Sequence, residues 1–150
     1  MLYAAWITAG ATIALAVIAF LQLRALRLEQ RKWQTLQACE RFELDPLLNR
    51  QTELIFKASD SGKHYSPDRF ADPELQHAVI NLLNYFDGIA IGIEQNLYHE
   101  RIVRNHLESS LTKAVDTFLT NGLAGPAVEA NHFQVLIRVR ESWRTPPKPV

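Results

Sequence analysis

Residues 2–23 form an unbroken apolar segment, LYAAWITAGATIALAVIAFLQL, without a charged residue or a proline. As an α-helix this segment is about 33 Å long, enough to cross a hydrocarbon core of about 30 Å. A cleavable signal peptide has a shorter apolar core, of about 7–15 residues, behind a basic leader. A buried core helix would need apolar cover on every side, which the rest of this chain can scarcely supply. The segment therefore predicts one retained transmembrane helix.

A basic cluster follows the apolar segment and predicts its orientation. Arg24, Arg27, Arg31 and Lys32 stand there against the single acid Glu29. Lysine and arginine flanks stay preferentially on the cytoplasmic side of a membrane. The short N-terminus is therefore expected outside and the rest of the chain in the cytoplasm. The same cations attract anionic headgroups, which makes membrane lipid an expected partner.

Small and hydroxylated residues recur along one side of the predicted span, at Thr8, Thr12 and Ala16. Small residues let helix backbones approach closely in lipid, and threonine hydroxyls can form hydrogen bonds across such a contact. This side predicts packing of the span against a second copy of the chain or against a membrane protein partner. The alternative is composition alone, because alanine is common throughout the segment.

The remaining composition argues against several functional classes. The formal net charge is +0, so no attraction to nucleic acid is expected. Cys39 is the only cysteine, which excludes an intrachain disulfide and a cysteine zinc site. The sequence has no glycine-rich phosphate loop, no G-x-S-x-G and no H-E-x-x-H. We therefore predict no cofactor and assign no catalytic residue.

The helical pattern continues through residues 24–44 without a breaker, which predicts a juxtamembrane stalk helix. Asp45-Pro46 is typical of a helix end followed by a capped new helix. Residues 45–143 then predict one cytosolic helical domain of about four helices, and residues 144–150 a disordered tail. The predicted fold class is all-α.

One helix, over residues 73–95, is predicted to be central because it is apolar over more than half of its circumference. A polar loop over 59–72 precedes it, and a helix from Glu100 to about Thr120 follows it. Residues 133–140 alternate like a strand and also fit a helix. We predict helix there, because no second strand is available for pairing.

The central helix carries two candidate features, one on its less apolar side and one on its apolar face. Gly88 and Gly92 lie one turn apart and predict close helix packing. Asp87 and Glu94 lie about 20° apart on the wheel among apolar residues, so they must be paired, protonated or near the domain edge. The expected partners, on the next helix, are Arg101, Arg104 and His106. An ion-pair network is the main interpretation, and a ligand or acid–base role is the alternative.

The pattern E-x-x-H occurs twice, as Glu74–His77 and Glu129–His132. Di-iron bundles use two such pairs together with further glutamates, so these four residues are a weak alternative metal site. The first pair lies in the opening turn of its helix, where the helix dipole already explains the glutamate. We therefore predict no metal.

The block LNYFDGIAIGIEQNLYHERIVRNHLE, with WQTLQACERFELDP upstream, resembles domain-of-unknown-function family 4760 over residues 33 to about 143. The resemblance implies a small bacterial protein with one N-terminal membrane segment and a helical cytosolic domain. The membrane is then expected to be the bacterial inner (cytoplasmic) membrane. No activity is established for that family, so the resemblance implies none.

The sequence thus favours a non-enzymatic, single-pass interaction or sensing module that is oligomeric through its span. One alternative is an accessory subunit of a larger membrane complex. The other is an enzymatic or metal-binding helical bundle that uses the carboxylates and histidines above.

Overall fold

The computed structural model describes residues 2–58, 72–121 and 130–144. Most of these residues are helical and, within the described ranges, there is no strand, so the predicted all-α fold is confirmed. The α-helices are α1 Leu2–Leu44, α2 Pro46–Ala58, α3 Pro73–Glu94, α4 Glu100–Ala114 and α5 Gln134–Arg144.

Helix α1 runs without interruption from the apolar segment into the domain. Its 43 residues make a rod about 65 Å long. It is long and apolar enough to cross a membrane. Every side chain over 10–30 is exposed, and the first partly buried one is Arg31. The second half of the predicted stalk is therefore part of the bundle and does not stand apart from it.

Aspartates cap the two helices that begin with proline, as their sequences predict. Asp45 accepts hydrogen bonds from the backbone N–H groups of Leu47, at 2.8 Å, and Leu48, at 3.3 Å. These bonds hold the pKa of Asp45 below its usual value. Asp72 accepts from the N–H of Glu74 at 3.0 Å. Each cap satisfies N–H groups that the first turn of a helix leaves unpaired.

Helix α3 lies at the centre of the bundle and packs against α2, α4 and α5. Apolar residues on a broad face of α3 are buried, which fits the predicted central helix. The inward positions of α4 and its continuation are buried as well. The core residues from these elements are Leu75, Val79, Leu82, Leu83, Phe86, Ile89, Val103, Leu107, Leu111, Ala114 and Phe118.

An aromatic cluster joins α1 to α3. The ring centroid of Phe42 lies 5.7 Å from that of Tyr85 and 5.3 Å from that of Phe86. The hydroxyl of Tyr85 donates to the carbonyl of Ala38 one turn earlier on α1. Burial raises the pKa of Tyr85, which makes loss of the proton that forms this hydrogen bond still less favourable.

The segment that was ambiguous between strand and helix is helical. A short 3₁₀ turn, Ala130–Phe133, leads into α5. Helix α4 continues as a wider π-helical turn, Val115–Thr120, and the buried Arg140 of α5 pairs with Asp116 in that turn. The predicted loop, apart from Asp72, and the predicted tail, apart from Arg144, lie outside the described residues.

Candidate functional site

The contact between α1 and the turn over residues 95–99, which joins α3 to α4, is the candidate functional site. Arg31 is the first residue of α1 to reach the domain. Its guanidinium Nη2 donates to the carbonyl of Tyr98 at 2.6 Å and lies 3.4 Å from Oδ1 of Asn96. A guanidinium bond to a carbonyl is charge-assisted and therefore stronger than a neutral one. We refer to this region as the stalk–turn contact.

Thr35, one turn beyond Arg31, completes the stalk–turn contact. Its side chain is fully buried, and its hydroxyl accepts from the backbone N–H of His99 at 2.8 Å. The same hydroxyl donates to the carbonyl of Arg31 at 2.6 Å. His99 is the N-cap residue of α4 and makes no side-chain cap bond of its own. Helix α1 therefore fixes the point at which α4 begins.

The turn itself is held by a close approach at Gly92. The carbonyl of Gly92 accepts from the N–H groups of Leu97, at 2.8 Å, and Tyr98, at 3.0 Å. The ring of Tyr98 covers Gly92 so tightly that a Cβ there would collide with the ring. Asn96 has a φ of 58°, in the left-handed region. The close packing predicted at Gly92 is therefore made by the Tyr98 side chain and not by a neighbouring helix.

An open groove of about 790 Å³ lies beside this contact, between α1 and α3. Gly88 lines it, and no atom lies within 4 Å of the position that a Cβ would take there. The predicted close helix packing at Gly88 is therefore wrong for the described residues, because the space beside this turn of α3 is open. The other side chains that line the groove are mostly polar: Gln34, Gln37, Ala38, Arg41, Asn84, Tyr85, Ile89, Leu97 and Tyr98.

Asp87 of α3 contacts the start of α5. Its Oδ1 accepts from the backbone N–H of Leu136 in the first turn of that helix, at 3.3 Å. Burial raises the pKa of Asp87, and the nearby Glu94 raises it further, whereas the hydrogen bond from Leu136 lowers it. Asp87 thus caps a helix from a different part of the chain.

Glu94 forms a two-point ion pair with a residue that the sequence did not indicate. Arg138 of α5 donates from Nε and Nη2 to the two carboxylate oxygens, both at 3.0 Å. The predicted partners on α4 are therefore wrong for Glu94. The reason is that α5, rather than α4, lies along this side of α3.

The three predicted partners lie elsewhere. Arg104 donates from Nε to Glu108 one turn later, at 3.1 Å, and from Nη2 to the carbonyl of Trp143 at 2.8 Å. Arg101 and His106 are exposed on α4. Arg104 therefore joins α4 to the end of α5. Asp87 and Glu94, each through its own bond to α5, hold the start of that helix on α3.

The two E-x-x-H patterns do not come together in the described residues. Glu74 and His77 are exposed near the start of α3, and His132 is exposed in the turn before α5. Glu129 lies outside the described residues. Over 2–58, 72–121 and 130–144, no group of three or more histidine, cysteine, aspartate or glutamate side chains is placed to bind a metal ion.

The residues expected at the membrane all lie on α1. Arg24, Arg27 and Lys32 are exposed, and Arg31 is partly buried in the stalk–turn contact. Thr12 and Ala16 are exposed on the apolar half. Thr8 lies on the same helix, at a position where only the backbone is described.

The contacts of the candidate site that sequence reasoning misses are those made across the fold. The sequence assigns Arg31 to the membrane flank alone, does not indicate Thr35, and does not indicate that Arg138 pairs with Glu94. The one local signal was Asn96 after the last turn of α3, because asparagine is enriched among residues with positive φ.

These observations agree with comparison by sequence. Residues 6–120 match the family described as Domain of unknown function (DUF4760). The chain belongs to this family. The DUF4760 match includes most of the apolar segment, the stalk–turn contact and the π-helical turn, and it ends before α5. No curated protein and no solved structure matches the chain significantly. The resemblance noted from residues 33–143 is thus confirmed as a family relation, and the DUF4760 match begins earlier, within the apolar segment.

Proposed function

We propose that this DUF4760 protein is a membrane-anchored interaction or sensing module of the bacterial cytoplasmic membrane. Residues 2–23 of α1 span the membrane with the N-terminus outside, and the helical domain is held at the cytoplasmic face. The observation that carries the proposal is the continuity of α1, which is one helix from the apolar segment into the domain core. A change in the packing of the span then reaches the stalk–turn contact through an unbroken helix.

Oligomerisation through α1 is part of the proposal. Leu26, Trp33 and Leu44 are 63%, 64% and 73% exposed, and they lie within about 20° of one another around the helix. We call these three residues the outer stripe. Thr35, which faces the domain, lies about 180° from Leu26. The outer stripe is therefore directed away from the domain, where a second copy of α1 has room to pack.

The predicted packing side of the span supports the same arrangement. The register of α1 places Thr8 and Thr12 within about 40° of Leu26. Small and hydroxylated residues favour helix contacts in lipid. The outer stripe offers large apolar side chains for contact outside the lipid. One side of one helix thus carries both kinds of contact.

Topology is the first experiment. The full-length protein is expressed in bacteria, and intact spheroplasts are treated with protease. We expect the domain to be protected in spheroplasts and digested after lysis, and the protein to resist extraction from membranes by carbonate. Digestion in intact spheroplasts would reverse the orientation, and release by carbonate would contradict the span.

Cysteine cross-linking tests the oligomer. Because the only native cysteine, Cys39, is buried, an introduced cysteine is the only exposed thiol. We expect Trp33→Cys to form disulfide-linked dimers in membranes. Lys32→Cys is the matched control, exposed on the same helix but about 100° away. Equal cross-linking of both variants would indicate random collision, and Thr8→Leu with Thr12→Leu is expected to weaken the Trp33→Cys dimer.

A glycine pair tests the continuity of α1. Inserting Gly-Gly after Gln30 turns the second half of α1 by about 200° relative to the first and softens the helix. We expect dimers through Thr12→Cys to persist and dimers through Trp33→Cys to be lost. Unchanged cross-linking at Trp33→Cys would mean that the span only tethers the domain.

A further inference from the structure

A pocket of about 360 Å³ lies where α1 leaves the apolar segment. One wall is α1, and the other is the turn between α3 and α4, represented by Asn96 and Leu97. The pocket adjoins the groove beside Gly88, with which it shares Gln34 and Leu97, and it lies nearer to the apolar segment. The side chains of α1 that line it are Arg24, Arg27, Leu28, Gln30, Arg31 and Gln34.

The charge of this pocket is of one sign. Three guanidinium groups line it, together with amide side chains, and no carboxylate does. Among the described residues, no carboxylate lies within ion-pair distance of Arg24, Arg27 or Arg31. Three arginines from successive turns of one helix side suit an anion that offers several oxygen acceptors.

Part of the pocket is already ordered. Nη2 of Arg31 is fixed by the carbonyl of Tyr98 and by Asn96, and Nε of Arg31 is buried with no hydrogen-bond partner in the described structure. A buried N–H without an acceptor is costly, and an anion in the pocket would supply the acceptor. The tertiary fold therefore adds a fixed donor to a flank that would otherwise be a row of flexible cations.

The depth of the pocket identifies the class of anion. Arg24 directly follows the apolar segment, and Arg31 lies about 12 Å beyond Leu23 along the helix. Headgroups occupy about 5–8 Å on each side of the hydrocarbon core. Arg24 and Arg27 thus lie at the level of lipid phosphates. Leu97, 54% exposed, is the apolar side chain of the opposite wall.

We propose that this pocket binds the phosphate of an anionic phospholipid between α1 and the α3–α4 turn. The proposal rests on the proposed function, since the pocket lies at headgroup depth only if residues 2–23 span the membrane. The bound phosphate is held by Arg24 and Arg27, with Nε of Arg31 as a further donor and Asn96 beside it. The lipid thereby links the membrane to the turn that α1 fixes through Arg31 and Thr35.

The test counts lipids that stay bound to the full-length protein. The protein is reconstituted in nanodiscs of phosphatidylglycerol and phosphatidylcholine in equal amounts, transferred to mild detergent and examined by native mass spectrometry. We expect selective retention of phosphatidylglycerol. Arg27→Gln combined with Asn96→Gly is expected to lower that retention about ten-fold. Glycine at position 96 tolerates the positive φ, so the turn is kept.

Lys32→Gln is the matched control. It removes the same charge from the same helix at the depth of Arg31, but Lys32 does not line the pocket. We expect retention to change by less than about two-fold. Equal losses in the control and in the pocket variant would overturn the proposal in favour of diffuse attraction. Equal retention of the two lipids would overturn the selectivity for an anion.

Two further arms separate the other sources of failure. Inorganic phosphate at millimolar concentration is added before the measurement, and displacement of phosphatidylglycerol by it would overturn the assignment to lipid. Carbonate extraction of the same variants reports on the span independently. A protein that stays in the membrane but shows no selective retention refutes the pocket alone, whereas a protein released by carbonate refutes the proposed function.

Discussion

The two halves of α1 have the same secondary structure and opposite surroundings. Every described side chain from Gly10 to Gln30 is exposed, although most of this half is apolar. From Arg31 to Leu44 the side chains alternate between buried and exposed, and Thr35 and Cys39 are buried in the domain. In both halves, the backbone N–H and C=O groups form hydrogen bonds within the helix. The side chains alone therefore decide which surroundings each half favours.

The comparison is clearest for two phenylalanines on the same helix. Phe20 is 66% exposed in the apolar half, whereas Phe42 is half-buried against Tyr85 and Phe86. In the first half, the described chain leaves the ring largely uncovered. In the second half, the rest of the domain covers it. The same residue type thus adds to an exposed apolar surface at one position and to the packing of the domain at the other.

The largest expected effect comes from truncating these two rings. Phe42→Ala should lower the free energy of unfolding of the domain by about 3 kcal/mol, because it empties a cluster that α3 cannot refill. Phe20→Ala is the matched control and should leave domain unfolding unchanged. Urea unfolding in mild detergent, followed by circular dichroism, measures both. Equal effects of the two variants on the free energy of unfolding would contradict the assignment of only the second half of α1 to the domain.

Thiol reactivity tests the same difference between the exposed half of α1 and the half that packs in the domain. Cys39 is 3% exposed, and burial raises its pKa to about 11. At pH 8 we expect the native thiol to react with a maleimide at least about 100-fold more slowly than in urea. A cysteine introduced at Glu29, which is exposed and lies outside the outer stripe, should react at nearly the unfolded rate once the protein is in detergent. Rapid native labelling of Cys39 would show that this part of α1 is not packed.

Thr35 tests where the second half is anchored. Thr35→Val keeps the shape but removes the acceptor for the N–H of His99, so the free energy of unfolding should fall by about 2 kcal/mol. Thr35→Ser retains the hydroxyl and should recover most of that loss. If valine and serine proved equivalent, the hydrogen bond would contribute nothing to the stalk–turn contact.

The smallest effect concerns pH, to which the apolar stretch of α1 is not expected to respond. The described apolar stretch, residues 10–23, has no titratable side chain. The pKa of Asp87 is raised in the folded state, so the native protein binds more protons than the unfolded chain between the usual and the raised pKa. The free energy of unfolding therefore falls as pH rises through that window.

Two variants at Asp87 separate its charge from its hydrogen bond. Asp87→Asn keeps an acceptor for Leu136 and should abolish this part of the pH dependence without loss of stability at pH 7. Asp87→Ala removes the cap of α5 and should cost about 1 kcal/mol. Unfolding in urea at pH 4 and pH 7 measures both. An asparagine variant with the full pH dependence of the wild type would assign that dependence to another group.

Much of the fold was predictable because it depends on local chemistry. Aspartate before proline fixed the starts of α2 and α3, and apolar spacing identified α3 as the central helix. The partner of Glu94 was not predictable. Arg101, Arg104 and Arg138 are all compatible with a carboxylate at that position, and only the direction of α5 across α3 selects Arg138.

The sequence by itself determined the elements, the family and the apolar segment of α1, because hydrophobicity, capping and helix propensity act over a few residues. The tertiary structure alone decided that α1 enters the core at Arg31, that Tyr98 covers Gly92 and that Asp87 caps α5. Each of these contacts joins residues far apart in the chain, and its geometry depends on how whole helices pack. The described side chains of the apolar half of α1, by contrast, are exposed.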